Sequence, residues 1–101
     1  MDVDVGWSTT DEEYLRKVEE FRPRALAFKP YAIIHFFGHD TCEGDYGDRG
    51  LGPDFYLELA KLVKSIAEQV CQGRYVVITG GGYRRDVAEY IFPCIVQTLA
   101  E

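Results

Sequence analysis

Two short segments carry the residue types that chemistry needs. Gly38-His39-Asp40 follows Tyr31 to Phe37, a continuous apolar run of strand length. An aspartate at the end of a buried strand can present its carboxylate to a cation from a rigid backbone. The same residue type also caps loops and turns. Gly80-Gly81-Gly82-Tyr83 follows a second apolar run, Arg74 to Thr79. Three glycines let the backbone turn sharply and approach a ligand, and the tyrosine brings a hydroxyl near the strand end. A plain tight turn and a phosphate-cradling loop are the alternatives for Gly80, Gly81 and Gly82, although neither GxGxxG nor GxxxxGK[ST] is present.

The chain has 2 histidines. His35 lies inside the first apolar run and reads as a core or helix-facing residue. His39 adjoins Asp40 but points to the opposite face under strand alternation, which leaves it a candidate support of the site and not a candidate ligand. Glu43, Asp45 and Asp48 crowd the following loop with acid. Solvated loop charge is the plain reading, and Asp45 can instead tie the loop down by accepting backbone N–H bonds.

The elements that must position these residues follow from the patterning. Val3 and Val5 alternate with Asp2 and Asp4 as in a short half-buried strand. Thr10 with Glu13 matches a capping box, and Asp11, Glu12 and Glu13 suit the positive end of a helix dipole. Tyr14, Val18, Phe21 and Ala25 continue at helical spacing, with Pro23 expected to kink or restart the helix. Tyr31 to Phe37 suits a parallel strand covered on both faces. Gly38 to Gly52 is then a loop of about fifteen residues, a length often tied to function.

Pro53 is well placed at a first helical position. Phe55, Leu59, Leu62, Val63, Ile66 and Val70 form an apolar stripe that Gly73 can end. Arg74 to Thr79 reads as another buried strand. The last segment is helical, with Val87, Ile91, Cys94 or Ile95, and Leu99 on one face. Pro93 inside it costs roughly 3 kcal/mol in a regular helix, so a kink is expected there. Strands alternating with helices imply an α/β fold with a parallel sheet. Ligands in such sheets bind beyond the carboxyl ends of the strands, where both loops emerge.

The 101 residues form one expected domain, 1–101, of ordinary globular composition, 47% hydrophobic and 28% charged. A net charge of −6 lacks the basic footprint of a nucleic-acid binder, and the pair Arg84-Arg85 does not supply one. No apolar run reaches the roughly 18 residues of a membrane span, and residues 1–6 resemble neither a signal nor a transit peptide. Cys42, Cys71 and Cys94 fit no zinc ribbon or CxxC spacing, so a reduced, cytoplasmic setting is the simplest expectation.

Four segments together resemble a known family. Thr10-Asp11-Glu12-Glu13-Tyr14-Leu15 looks like the DEEYL helix start of acetoin-utilization proteins, and Phe28-Lys29-Pro30 like an FKP lead-in to a strand. Gly38-His39-Asp40-Thr41-Cys42-Glu43-Gly44-Asp45 is similar to G-x-D-x-x-x-G-D, and Gly80-Gly81-Gly82-Tyr83 to G-G-G-Y. In this order they resemble the C-terminal third of the arginase-like deacetylases, the histone deacetylase and acetoin-utilization family, over nearly all of the chain.

The resemblance implies a three-layer α/β/α architecture, of which this chain is a βαβαβα fragment. It also implies zinc-dependent hydrolysis of acetylated lysine, polyamine or a similar small acetylated amide. Asp40 matches the family's last zinc ligand. Tyr83 matches the tyrosine that donates a hydrogen bond to the tetrahedral oxyanion. His39, Asp45, Gly80, Gly81 and Gly82 are then supports of the site.

The departures are equally specific. The family's other two zinc ligands come from an upstream D-x-H motif and its base from a pair of adjacent histidines, and this chain has neither. A catalytic zinc takes three protein ligands, and Asp40 is the only one supplied. His39 stands where the family usually has a small or apolar residue, and Tyr46 to Leu51 is longer than the usual P-L-G stretch. The chain alone is therefore expected to be inactive. Its open apolar strand edges predict a homo-oligomer or pairing with a complementary deacetylase segment. The other classes are a non-catalytic, self-associating or ligand-binding α/β module derived from that family, and a phosphate or nucleotide binder using Gly80 to Gly82 with Arg84-Arg85.

Overall fold

The computed structural model describes residues 10–101. The expected strand at Asp2 to Val5 lies outside the described residues. Helix α1 spans Asp11–Glu19, and the Thr10 side chain accepts the Glu13 N–H at 3.2 Å. Asp11, Glu12 and Glu13 occupy its first turn, where carboxylates complement the helix dipole. A new helix, α2, runs Phe21–Phe28. Pro23 has no N–H for the Glu19 carbonyl, so the chain restarts instead of continuing one helix. Lys29 ends α2 in the left-handed region at φ 56°.

Strand β1 is Ile33–Phe37 and strand β2 is Tyr75–Thr79. They pair in parallel, with Ile33 opposite Tyr75 and Phe37 opposite Thr79. The crossover between them is α3, Pro53–Cys71, with Pro53 in its first turn and Gln72 left-handed at its end. Helix α4 spans Arg85–Ala100 as one element with Pro93 inside it. Pro93 does not end this helix. Both it and Glu89, whose carbonyl loses its N–H partner, lie on the exposed side.

The core gathers Phe37, Leu51, Phe55, Tyr56, Val87, Ile91 and Ile95 between the sheet and helices α3 and α4. Cys42 and Cys71 are buried, and Cys94 is half-buried. Strand alternation sends His35, Phe37 and Val77 toward this core. The opposite face carries Ile34, Phe36, Val76 and Ile78, which are 67%, 73%, 51% and 45% exposed. The expectation of strands covered on both faces is therefore not met by residues 10–101. They form an α/β arrangement with helices on one side of a two-stranded parallel sheet, and the third layer is not among them. An apolar run reports that a strand can be covered twice, not that the same segment supplies both covers. Among the described residues no helix is long and apolar enough to cross a membrane.

Candidate active site

Both strands end at the same rim, and their backbones stay joined beyond it. Gly80 N–H donates to the Phe37 carbonyl at 2.6 Å, and His39 N–H donates to the Gly81 carbonyl at 3.0 Å. This brings Asp40 against the glycine turn. A side-chain carbon at Gly81 would lie 2.6 Å from Asp40 Oδ1, one at Gly38 3.0 Å from the same oxygen, and one at Gly47 2.9 Å from Oδ2. The carboxylate thus sits in a notch walled by backbone that only glycine leaves open. No hydrogen bond or ion pair to it is found among the described residues.

The loop after Asp40 is tightly wound. Gly47 N–H donates to the Asp40 carbonyl at 3.0 Å, and Arg49 N–H to the Thr41 carbonyl at 2.9 Å. Cys42 and Leu51 pair across its base and are both buried. Thr41 Oγ1 shares a 2.6 Å hydrogen bond with the Tyr56 hydroxyl, which rises from α3. Burial pushes that phenol well above its ordinary pKa.

Asp45 and Asp48 are spent on backbone N–H groups, whereas Glu43 stays exposed as the plain reading expects. Asp48 accepts from Gly44 N–H at 3.0 Å and Gly50 N–H at 2.7 Å, which holds its carboxyl below the usual range. Asp45 is buried. One of its oxygens accepts from Tyr46 N–H at 2.8 Å, and the other from Tyr83 N–H at 2.9 Å and Arg84 N–H at 3.0 Å. Burial alone would raise the Asp45 carboxyl, but the N–H bonds from Arg84, Tyr83 and Tyr46 outweigh it and hold the group below its ordinary pKa.

Tyr83 is exposed. Its hydroxyl donates to the Gly44 carbonyl at 3.0 Å, and its ring stacks on Tyr46 with centroids 6.0 Å apart. Arg84 reaches the Glu43 carbonyl and pairs with Asp86. Beside this turn the Gly80, Tyr83 and Arg84 N–H groups and the Arg84 guanidinium are therefore already engaged.

His39 is 4% exposed and lies beneath the turn. A side-chain carbon at Gly82, whose φ is +117°, would meet its ring at 2.6 Å. The Phe92 ring lies edge-on at 5.8 Å, and Asp45 Oδ2 is 4.0 Å from Nε2. Neither ring nitrogen has a hydrogen-bond partner among the described residues. His35, by contrast, shares a 2.8 Å hydrogen bond with the Tyr75 hydroxyl, away from the site.

The sequence motifs thus meet at one rim. The parts that pattern reading missed are Gly47, Tyr46 and Tyr56. Tyr56 lies off the apolar stripe of α3, so only its hydroxyl, which needs a partner when buried, hints at it. Against the three protein ligands of a catalytic zinc, these residues fall short. No group of three His, Cys, Asp or Glu able to hold a metal ion occurs among the described residues. Asp40 is a single donor, and the His39 ring is committed to the space under Gly82.

The family pattern described as "Histone deacetylase domain" matches residues 1–99. The chain belongs to the histone deacetylase family. Among curated relatives, "Histone deacetylase 6" of Caenorhabditis elegans is 33% identical over 92 residues. The match covers 89% of this chain and 9% of that protein, so the chain spans a small part of the relative's length. Its lineage is that of deacetylase-type hydrolases.

Proposed function

We propose that this chain is part of a zinc-dependent deacetylase site and is inactive on its own. Asp40 would supply one oxygen ligand, and Tyr83 an O–H donor for the oxyanion of an acetylated lysine, polyamine or similar amide. The observation that carries this reading is the open carboxylate of Asp40, walled by Gly38, Gly47 and Gly81, on the same rim as Tyr83. Donors preorganised toward developing charge are typically worth about 10²–10³ in rate. For Tyr83 to act so, its hydroxyl must leave the Gly44 carbonyl. The remaining zinc ligands and the base would come from a complementary deacetylase segment.

On this reading the fragment belongs to a three-layer α/β/α domain, and that segment covers the bare sheet face. Support comes from the exposed Ile34, Phe36, Val76 and Ile78, and from an adjoining apolar groove at Phe21, Phe28 and Pro30. The same face also favours a second reading, a non-catalytic α/β module that pairs with its own copy. A cytoplasmic location suits the free cysteines Cys42, Cys71 and Cys94.

The test is turnover of an acetyl-lysine peptide by the purified chain, with and without a deacetylase segment carrying D-x-H and adjacent histidines. No turnover alone, and zinc-dependent turnover on mixing, is expected. Chelator-sensitive turnover by the chain alone would refute the inactive-fragment reading. Stable self-association with no zinc-dependent gain on mixing would favour the second.

A further inference from the structure

We infer that Asp45 is the positioning residue of this site, holding the backbone of Tyr83 and Arg84 at the entry to α4 from a different loop. The first N–H groups of a helix have no partner within it and are usually met by a side chain at the preceding position. At α4 that position is Arg84, whose side chain makes no capping bond. Asp45 acts one step earlier, accepting the N–H groups of Tyr83 and Arg84 just ahead of the first helical residue, from 38 and 39 residues away in the sequence. Its carboxylate also lies at the positive end of the α4 dipole, which favours the charge.

The need for such a clasp follows from the turn. Gly80, Gly81 and Gly82 precede Tyr83, and glycine is the residue type that loses most conformational freedom on ordering. Left to itself, this turn would not set where Tyr83 starts. The segment Glu43 to Tyr46 grips Tyr83 and Arg84 at several points. The Glu43 carbonyl takes the Arg84 guanidinium, the Gly44 carbonyl takes the Tyr83 hydroxyl, and the Tyr46 ring stacks on Tyr83. Among these contacts only the Asp45 carboxylate holds the backbone N–H groups. The ring can therefore leave Gly44 while its point of attachment stays fixed relative to Asp40. As a statement about catalysis this rests on the deacetylase reading; as a statement about geometry it does not.

The test is site-resolved amide exchange by NMR on the whole chain, in wild type, Asp45→Ala and Asp45→Asn. Gly80 and Ile33 N–H, bonded to Phe37 and Arg74 carbonyls, serve as internal references. In Asp45→Ala, exchange at Tyr83 and Arg84 is expected to accelerate about tenfold or more relative to those references, because bonds to a charged acceptor are lost. Asparagine keeps one acceptor oxygen, so Asp45→Asn should retain protection at Tyr83 and Arg84 and lose it at Tyr46. Unchanged exchange at Tyr83 and Arg84 in Asp45→Ala, or acceleration shared equally by Gly80 and Ile33, overturns the inference. If Asp45→Ala does not fold, Asp45→Asn decides: wild-type exchange at all of Tyr46, Tyr83 and Arg84 overturns it. None of these readouts needs zinc or substrate, so this inference and the deacetylase reading fail separately.

Discussion

Replacing His39 with leucine should make the protein more stable. A neutral imidazole carries one donor and one acceptor nitrogen. In the folded chain both are buried without hydrogen-bond partners among the described residues. A buried polar group left unpaired costs about 1–3 kcal/mol, and leucine removes both nitrogens. The replacement gives up the edge-on contact with Phe92 at 5.8 Å, a kind of contact worth about 0.5–1.5 kcal/mol. The balance favours leucine by about 1 kcal/mol, using the middle of each range. In a domain of this size that raises Tm by about 4–8 °C.

Size matters in this comparison, because Gly82 already crowds the ring. His39→Ala therefore serves as the control: it removes the same nitrogens but opens a cavity, and it should fall below His39→Leu in stability. Urea and thermal unfolding of the three proteins at one pH measure the order. A leucine variant less stable than wild type by about 1 kcal/mol or more would mean that the imidazole has hydrogen-bond partners, and the reasoning would be refuted.

Three further outcomes are expected. Gly82→Ala should cost about 1–3 kcal/mol in urea unfolding, because φ +117° strains any L-residue and the new carbon meets the His39 ring. His35 is held below its ordinary pKa of 6.5 by burial, so the unfolded chain takes up its proton first. Stability should then fall as pH drops below 6.5, until the folded-state pKa is passed, and His35→Leu should flatten that slope in unfolding curves between pH 5 and 8. The depressed carboxyls Asp45 and Asp48 act only in a lower window, losing their contribution as pH falls below 3.8. Phe36→Lys, on the bare sheet face, should change the stability of the monomeric chain by no more than about 0.5 kcal/mol while weakening association in sedimentation. A large loss in a monomeric sample would mean that Phe36 is covered within one chain.

Much of this arrangement can be read in the chain before folding. Apolar runs ending in Gly38-His39-Asp40 and Gly80 to Tyr83, with a helix-length stripe between them, point to parallel neighbours whose exits share a rim. Thr10 with Glu13 marks the start of α1, because capping is a local contact. What escapes such reading is long-range. The three N–H groups on Asp45 come from Tyr46, Tyr83 and Arg84, and two of these have no local relation to it. The missing cover over Ile34 and Phe36 is equally invisible, since strand composition reflects the complete assembly of layers. His39 looked like a site support from its neighbour Asp40, and its unpaired ring under Gly82 depends on which way one backbone bond turns.

The backbone bonds that continue past the strands, from Gly80 to Phe37 and from His39 to Gly81, make the pairing of β1 with β2 a ruler for the chemistry. Side-chain direction alternates with every residue along a strand. Inserting or deleting one residue within Ile33–Phe37 would therefore shift His39 and Asp40 by one position against the Gly80 to Gly82 turn and carry the carboxylate out of its notch. A residue added between Gly47 and Gly50 shifts neither strand and disturbs only the local bonds of Asp48 and Arg49. Change in this chain should thus be far better tolerated at the tip of the long loop than anywhere in the ten strand positions that set its origin.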